Sequence, residues 1–205
     1  MPITPLLNFV LPSRCASCDK PGSDLCDQCV AEILVELHEF QIQGIPGFAV
    51  TKYRPLISKI LVAFKEKGQF ALAKTLAALF SNVISQLPKF ESPVHLVPAP
   101  SSSENFARRG FQPALLLANE IAKKHVGFRV LNSLVFSRKV QDQVGLSGPE
   151  RLANLDSSMK LNQSVAGRVC YLVDDVVTTG ATATQGSRVL MVGGALVAGI
   201  LTLSH

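Results

Sequence analysis

One short stretch of the chain places two adjacent carboxylates before a loop of threonine and glycine residues. Asp174 and Asp175 end an apolar run, the loop 178–182 follows, and a helix-compatible segment begins at Ala183. This order is typical of a strand, a loop and a helix. The first N–H groups of a helix bind anions, threonine hydroxyls add donors, and Gly180 allows a close backbone approach. We therefore predict that the loop binds a phosphate.

The two carboxylates indicate what accompanies the phosphate. The loop lacks the lysine of a Walker A motif, which disfavours a simple nucleoside triphosphate. Carboxylate oxygens accept hydrogen bonds from vicinal hydroxyls or anchor a hydrated Mg²⁺, so a sugar phosphate satisfies both halves of the stretch. The alternative is a strand and an N-capped helix without a ligand. That alternative explains one polar residue better than it explains a row of them.

Four cysteines near the N-terminus form two C-x-x-C pairs, Cys15 with Cys18 and Cys26 with Cys29. Two such pairs place four thiolates around one tetrahedral ion, with Zn–S distances of ~2.3 Å. We predict a structural zinc site without an open coordination position. Redox-active thiols or disulfides are the alternative. Cys170 lies in the apolar run before the carboxylates and is interpreted as a core residue.

Two polar loops are further candidates for anion binding. The loop 98–111 follows a short apolar strand and carries Arg108 and Arg109, whose guanidinium groups suit phosphate oxygens. The segment Ser137–Pro149 is long and polar, carries Arg138 and Lys139, and is interpreted as a mobile lid. A solvated loop with incidental charges is the alternative for both.

The composition excludes several classes of protein. Hydrophobic residues make up 47% of the 205 residues and charged residues 17%, which argues against disorder. The net charge of +5 favours anionic partners, either phosphorylated metabolites or nucleic acid. No secretion signal is recognised, and the apolar stretch Val189–Leu203 is short for a membrane span and interrupted by two glycines. We expect a soluble, cytoplasmic protein.

The elements that position these residues alternate between strand and helix. Predicted strands are Phe48–Tyr53, Val94–Val97, Phe128–Phe136, the run that ends at Asp174, and Leu196–Leu203. Predicted helices are Val30–Phe40, one opening at Pro55, Phe70–Leu87, one from Pro113 to Gly127, and Ala183–Val192. This alternation predicts an α/β fold with a mainly parallel sheet and flanking helices. We expect residues 1–40 to form the zinc knuckle with a helix, and residues 41–205 to form the main domain.

The stretch Leu172–Thr182, LVDDVVTTGAT, resembles the phosphoribosyl pyrophosphate (PRPP) motif of type I phosphoribosyltransferases. Nearly the whole chain resembles the ComF family, the competence-associated members with an N-terminal four-cysteine motif. The further matching segments are Tyr53-Arg54-Pro55, Phe64-Lys65, Val97–Pro100, Arg108–Gln112, Arg138, Gln143, Leu146-Ser147, Arg151 and Asn154. Ala99 and Met159 differ from the residues that are common at these positions in the family. Neither belongs to the expected sugar-phosphate site, so we expect these differences to affect packing and not the class of reaction.

The resemblance implies a type I phosphoribosyltransferase fold and transfer of ribose 5-phosphate from Mg²⁺-bound PRPP. It implies that Asp174 and Asp175 are catalytic and hold the ribose hydroxyls. The other implied PRPP-binding residues are Val176, Val177, Thr178, Thr179, Gly180, Ala181, Thr182, Arg108, Arg109, Lys65 and Arg138. No residue pattern indicates the acceptor or the oligomeric state.

Two other functions remain open at this stage. The family name implies a factor in DNA uptake that binds single-stranded DNA or a helicase partner without catalysis. A regulator that senses PRPP or a nucleotide without turnover is the second alternative.

Overall fold

The computed structural model describes residues 13–137, Ser147 and residues 158–205. The helices in these residues are α1 Asp27–Ala31, α2 Pro55–Glu66, α3 Leu72–Gln86, α4 Ser103–Arg109, α5 Pro113–Lys124 and α6 Ala181–Val192. The strands are β1 His38–Ile42, β2 Ile45–Thr51, β3 Val94–Pro98, β4 Phe128–Val130, β5 Leu134–Phe136, β6 Met159–Leu161, β7 Val169–Val176 and β8 Leu196–Ser204.

The central sheet has the strand order β1-β2-β8-β7-β3-β4. Strand β1 runs antiparallel to β2, and every other neighbouring pair in this sheet is parallel. Strands β5 and β6 form a separate antiparallel pair. The predicted mainly parallel sheet with flanking helices is confirmed.

Both faces of the sheet are covered, because successive residues of a strand point to opposite sides. On one face, Tyr171 and Val173 of β7 pack with buried side chains of α2, α3 and α5, among them Phe64. On the other face, Cys170 and Leu172 pack with α6 and β5. Cys170 is fully buried, which confirms its interpretation as a core residue. Within residues 13–137 and 158–205, no helix has both the length and the apolar composition that crossing a bilayer requires.

The predicted helix Val30–Phe40 is wrong. Helix α1 ends at Ala31, and His38–Ile42 is an edge strand. Phe40 explains the difference, because its ring covers Gly47 of β2 and stacks on His205 at a centroid distance of 4.0 Å. A short apolar segment satisfies helical and strand spacing alike, and here the tertiary contacts determine which forms.

Two further elements differ from the sequence prediction. The predicted strand Phe128–Phe136 is two strands, because Leu131 donates the last hydrogen bond to β3 and the chain then leaves the sheet to pair β5 with β6. The predicted loop 98–111 contains helix α4. The Ser102 Oγ caps α4 by accepting from the Asn105 N–H at 3.2 Å, and Gly110 ends it with a left-handed φ of 76°.

We predict that Tyr171→Phe raises the free energy of unfolding by about 1 kcal/mol. Tyr171 is 1% exposed, and its hydroxyl has no hydrogen-bond partner among the described residues. Removing an unsatisfied buried hydroxyl removes its desolvation penalty. Urea denaturation measures the change. Tyr53→Phe is the control, because Tyr53 is 53% exposed. A loss of stability in Tyr171→Phe would contradict the prediction and reveal a buried partner such as water.

Candidate functional site

The candidate site lies where two neighbouring parallel strands end. Pro98 at the end of β3 pairs with Val173 of β7, so the C-terminal ends of both strands lie side by side. From these ends β3 leads into α4, which carries the two arginines, and β7 leads into the threonine loop and α6. Open α/β sheets bind ligands outside the carboxyl ends of their strands.

The two carboxylates of β7 face opposite sides of the sheet, since they are adjacent strand residues. Asp175 points to the side of α2 and is 4% exposed. Its Oδ1 lies 2.8 Å from Lys65 Nζ and accepts a hydrogen bond from the Val176 N–H at 2.8 Å. Asp174 is half-buried and lines a polar pocket on the side of α6. The pair is therefore divided into a neutralised carboxylate and one that faces the pocket.

The surroundings of Asp174 and Lys65 raise the pKa of both groups. Burial and the neighbouring charge of Asp175 raise the pKa of Asp174 well above its usual value, although Lys65 opposes this. Burial alone lowers the pKa of Lys65, but the charges of Asp175 and Asp174 outweigh it and raise that pKa. Lys65 is therefore a stable cation, whereas Asp174 is held in an environment that disfavours its charge.

The polar pocket beside Asp174 is formed by the loop that enters α6. Its lining residues are Asp174, Val176, Val177, Thr178, Thr179, Gly180, Ala181, Thr182 and Ala183. Gly180 immediately precedes α6 and has a left-handed φ of 72°. The left-handed backbone favours glycine, and a Cβ at this position would lie 2.6 Å from Cδ1 of Ile42, whose side chain would have to move aside. The sequence prediction of a strand, loop and helix is confirmed.

The two arginines of α4 are held by one carboxylate that the sequence analysis did not identify. Arg108 and Arg109 both form ion pairs with Glu66. Arg108 Nη2 also donates to Asn105 Oδ1 at 2.7 Å, and the Arg109 side chain is only 13% exposed. Glu66 follows Lys65 at the end of α2, so consecutive side chains contact the acidic strand and the arginine helix. No sequence signal distinguishes this glutamate from a solvated one.

Of the predicted lid, the structure describes only Ser137, whose N–H donates to the Ser158 carbonyl at 2.7 Å, and Ser147. Arg138, Lys139, Gln143, Arg151 and Asn154 lie outside the described residues, and their roles stay predictions.

The four N-terminal cysteines form one cluster. Their sulfur atoms all lie within 4.8 Å of one another, and the Sγ atoms of Cys18 and Cys26 are 3.7 Å apart. Tetrahedral zinc with Zn–S bonds of ~2.3 Å requires S–S distances of about 3.8 Å. Burial raises the pKa of Cys15, but hydrogen bonds from the backbone of Cys18, Cys26 and Ser17 outweigh it and lower that pKa to about 6. The donor set and its spacing fit a four-cysteine zinc site.

The cysteine cluster is anchored to the main core. Cys15 and Cys29 are buried in the same apolar cluster as Phe64 and Leu72. Gln69 Nε2, in the connection between α2 and α3, donates to the Arg14 carbonyl at 3.1 Å. The cysteine cluster therefore packs against the C-terminal end of α2 and is hydrogen-bonded to the connection that follows it.

Curated proteins similar to this chain carry competence and DNA-utilization names. Competence protein F of Haemophilus influenzae is 31% identical over 142 residues, covering 65% of this chain and 61% of that protein. Competence protein ComFC of Streptococcus pneumoniae is 24% identical over 88% of this chain and 82% of that protein. The DNA utilization protein YhgH of Escherichia coli is 26% identical over 89% and 85%. The match thus spans less than two thirds of Competence protein F.

Similarity to solved structures is weaker, and no family profile matches the chain. A hypoxanthine phosphoribosyltransferase of Trypanosoma cruzi has a TM-score of 0.35 and 14% identity, covering 68% of this chain and 67% of that one. The hypoxanthine-guanine phosphoribosyltransferase of L. donovani has a TM-score of 0.35 and 17% identity, covering 68% and 71%. Similarity at this level supports no conclusion about activity.

We predict opposite effects of Asp174→Asn and Asp175→Asn on stability. At pH 7, Asp174→Asn removes a disfavoured charge and should raise the free energy of unfolding by roughly 0.5–2 kcal/mol. Asp175→Asn deprives Lys65 of its charged partner and should lower it by roughly 1–3 kcal/mol. Denaturant titrations of both variants measure these changes.

The pH dependence provides the control for this prediction. The pKa of Asp174 is higher in the folded than in the unfolded protein, so its ionisation reduces stability as pH rises above about 4. The gain in the free energy of unfolding from Asp174→Asn should therefore shrink as the pH falls from 7 toward about 4. A destabilised Asp174→Asn variant at pH 7 would contradict the analysis.

Proposed function

Because the chain is homologous to the ComF-type competence proteins, we propose that it is a phosphoribosyltransferase that uses Mg²⁺-bound PRPP. One observation carries the proposal: Asp174 faces a pocket lined by the threonine loop and the start of α6. A phosphate at the helix start and ribose hydroxyls at the carboxylate match the two ends of ribose 5-phosphate. The resemblance of Leu172–Thr182 to the PRPP motif supports the same ligand.

The proposed reaction breaks the bond between the anomeric carbon and pyrophosphate. The bonding electrons leave with pyrophosphate, the acceptor forms the new bond to the anomeric carbon, and the acceptor loses a proton. Bound Mg²⁺ would supply charge neutralisation for the pyrophosphate. The carboxylate of Asp174 would bind the ribose hydroxyls and favour the positive charge that develops on the sugar, whereas the carboxylate of Asp175 would hold Lys65 in place. The loop from Val176 to Thr182 would hold the 5′-phosphate.

The ion pairs of α2 would position the groups on the pyrophosphate side. Lys65 neutralises Asp175 in the described structure, and Glu66 fixes the two guanidinium groups. Guanidinium groups held in place lose little conformational freedom when they bind phosphate oxygens. Arg108 and Arg109 are therefore the cations that we assign to pyrophosphate. Lys65, which is paired with Asp175, is a weaker candidate, and Arg138 stays a further one.

We propose structural zinc at Cys15, Cys18, Cys26 and Cys29, since the sulfur spacing fits a closed tetrahedral site. Four protein ligands leave no position for a substrate, so this site would serve stability. Thiolate ligands are consistent with a reducing compartment, and a cytoplasmic location stays our proposal. The division into a zinc knuckle at residues 1–40 and a transferase domain at residues 41–205 also stays our proposal.

The relatives' names, competence and DNA utilization, support a link between this activity and the handling of DNA. A non-catalytic factor that binds single-stranded DNA or a helicase partner is the second candidate. A regulator that binds PRPP without turnover is the third. An acceptor screen separates the first from the third, because only an enzyme releases pyrophosphate.

We predict that the wild-type protein binds Mg·PRPP and that Asp174→Ala weakens this binding at least about tenfold. The substitution removes the carboxylate that faces the pocket, and one charged hydrogen bond contributes roughly 1.5–3 kcal/mol. Isothermal titration calorimetry measures the affinity. Glu39→Ala is the matched control, because it removes an exposed carboxylate from β1. A folded wild-type protein that does not bind Mg·PRPP would overturn the proposed function.

Zinc content tests the second part of the proposal. Elemental analysis of protein purified under reducing conditions should find about one zinc per chain. Cys18→Ser should lose the metal, whereas Cys170→Ala should keep it, because Cys170 lies in the core apart from the cluster. Chelation should lower the thermal midpoint of the wild type. Metal-free protein with an unchanged midpoint would count against zinc.

A further inference from the structure

A second cavity, of about 370 Å³, lies between α6 and β6. Its lining residues are Met159, Leu161, Gln185, Arg188, Val189, Val192 and Gly193. It has no lining residue in common with the pocket beside Asp174. Sites for small molecules have volumes of ~300–1,000 Å³, and this cavity lies at the small end of that range. Its size therefore suits a small molecule.

One face of α6 and one face of β6 form the two walls of this cavity. The α6 residues at positions 185, 188, 189 and 192 are spaced at i, i+3, i+4 and i+7, so they lie on one side of the helix. Met159 and Leu161 are two residues apart in β6, so they point to the same side of that strand. Val189 and Val192 lie opposite them, and a methionine sulfur packs well against an aromatic ring. The two walls therefore suit the two faces of a flat ring.

Gln185 is a buried polar side chain on the helical wall of the cavity. It is 7% exposed and lines the cavity. Within residues 13–137 and 158–205, its side-chain amide has no hydrogen-bond partner. Buried amides are almost always hydrogen-bonded, because they lose their contacts with water on burial. We expect the occupant of the cavity to supply the missing partner.

The amide of Gln185 indicates the chemistry of that occupant. Its Nε2 is a donor and its Oε1 is an acceptor, and the two lie side by side. A heteroaromatic base with a donor next to an acceptor on its edge forms two hydrogen bonds with such an amide, as adenine does with glutamine. An aliphatic molecule would fill the cavity and leave the amide without a partner. The walls and the amide together favour a heteroaromatic base.

The cavity extends along α6 away from the threonine loop. Gln185 and Val192 follow Ala181, the first residue of α6, by one and three turns. At 1.5 Å per residue, they lie about 6 Å and about 17 Å from it along the helix axis. The reaction proposed for PRPP takes place at the other side of Ala181, beside Asp174. A base in the cavity is therefore not positioned as the acceptor of that reaction.

We propose that the cavity between α6 and β6 binds a heteroaromatic base such as adenine. The ring lies between Met159 and Val189, and its edge forms two hydrogen bonds with the Gln185 amide. Met159 also packs against Ala181, which lines the pocket beside Asp174, so the two sites are neighbours. They share no lining residue, and the proposal stands independently of the reaction proposed for PRPP.

Isothermal titration calorimetry with adenine, in the absence of PRPP, tests the proposal on the full chain. Gln185→Leu keeps the size of the side chain and removes the amide, so it should weaken adenine binding at least tenfold. Indole, a flat ring without an acceptor beside its N–H, should bind this variant within threefold of the wild type. The thermal midpoint of Gln185→Leu should be equal or higher, because a buried amide without a partner is removed.

Three further variants locate the bound adenine. Val189→Phe fills the cavity and should weaken binding of both adenine and indole. Gln86→Leu is the matched control, because it removes an exposed glutamine at the end of α3 and should leave adenine binding unchanged. Asp174→Ala should also leave it unchanged, because Asp174 lines the other pocket.

Several outcomes would overturn the proposal. A folded wild type that does not bind adenine would refute it directly. Equal losses of adenine and indole in Gln185→Leu would show that the amide does not recognise the base. Loss of adenine binding in Asp174→Ala, with none in Gln185→Leu, would place adenine in the other pocket. Adenine binding by a wild type that fails to bind Mg·PRPP would sustain this inference and refute the proposed reaction.

Discussion

The ion pair between Lys65 and Asp175 is the interaction on which the candidate site depends. A buried carboxylate is unfavourable without a partner, and Lys65 supplies one from the end of α2 at 2.8 Å. The next residue, Glu66, extends from the same helical turn to the two arginines of α4. The position of α2 against the sheet thus determines how the acidic strand and the arginine helix face each other. The core beneath α2, which includes Phe64 and the cysteine cluster, keeps that position.

Strand geometry gives the two adjacent aspartates different chemistry. The alternation of β7 sends Asp175 toward Lys65 and Asp174 toward the threonine loop. One carboxylate therefore supports the architecture, whereas the other is left for a ligand in surroundings that disfavour its charge. Residues that are strained or poorly solvated in the absence of ligand are common where a protein binds or reacts. The acidic pair, which is symmetric in the sequence, is asymmetric in the fold.

Much of this arrangement can be predicted from residue patterns, for identifiable reasons. The apolar run before Asp174, with the glycine and threonines after it, predicts a strand, a loop and a helix, because each of those residue types has a local conformational role. The paired cysteine spacing predicts the cluster, since two knuckles are nearly sufficient to place four sulfurs. The serine at 102 and the glycine at 110 are capping signals from which α4 was also predictable. Strand β1 was not predictable, because Phe40 acquires its partners from β2 and the C-terminus. Glu66 was not predictable either, since its role depends on a helix more than forty residues away.

The contact between Ile42 and Gly180 limits how this loop can evolve. A residue larger than glycine at 180 meets the isoleucine side chain, and shortening that side chain would relieve the contact. The backbone would still have a φ of 72°, which other residues rarely adopt. A shorter side chain at position 42 in β1 therefore removes the steric contact but not the backbone preference for glycine at position 180. A smaller residue at 42 would in addition leave a void behind the loop, so the two positions are constrained together although they lie far apart in the chain.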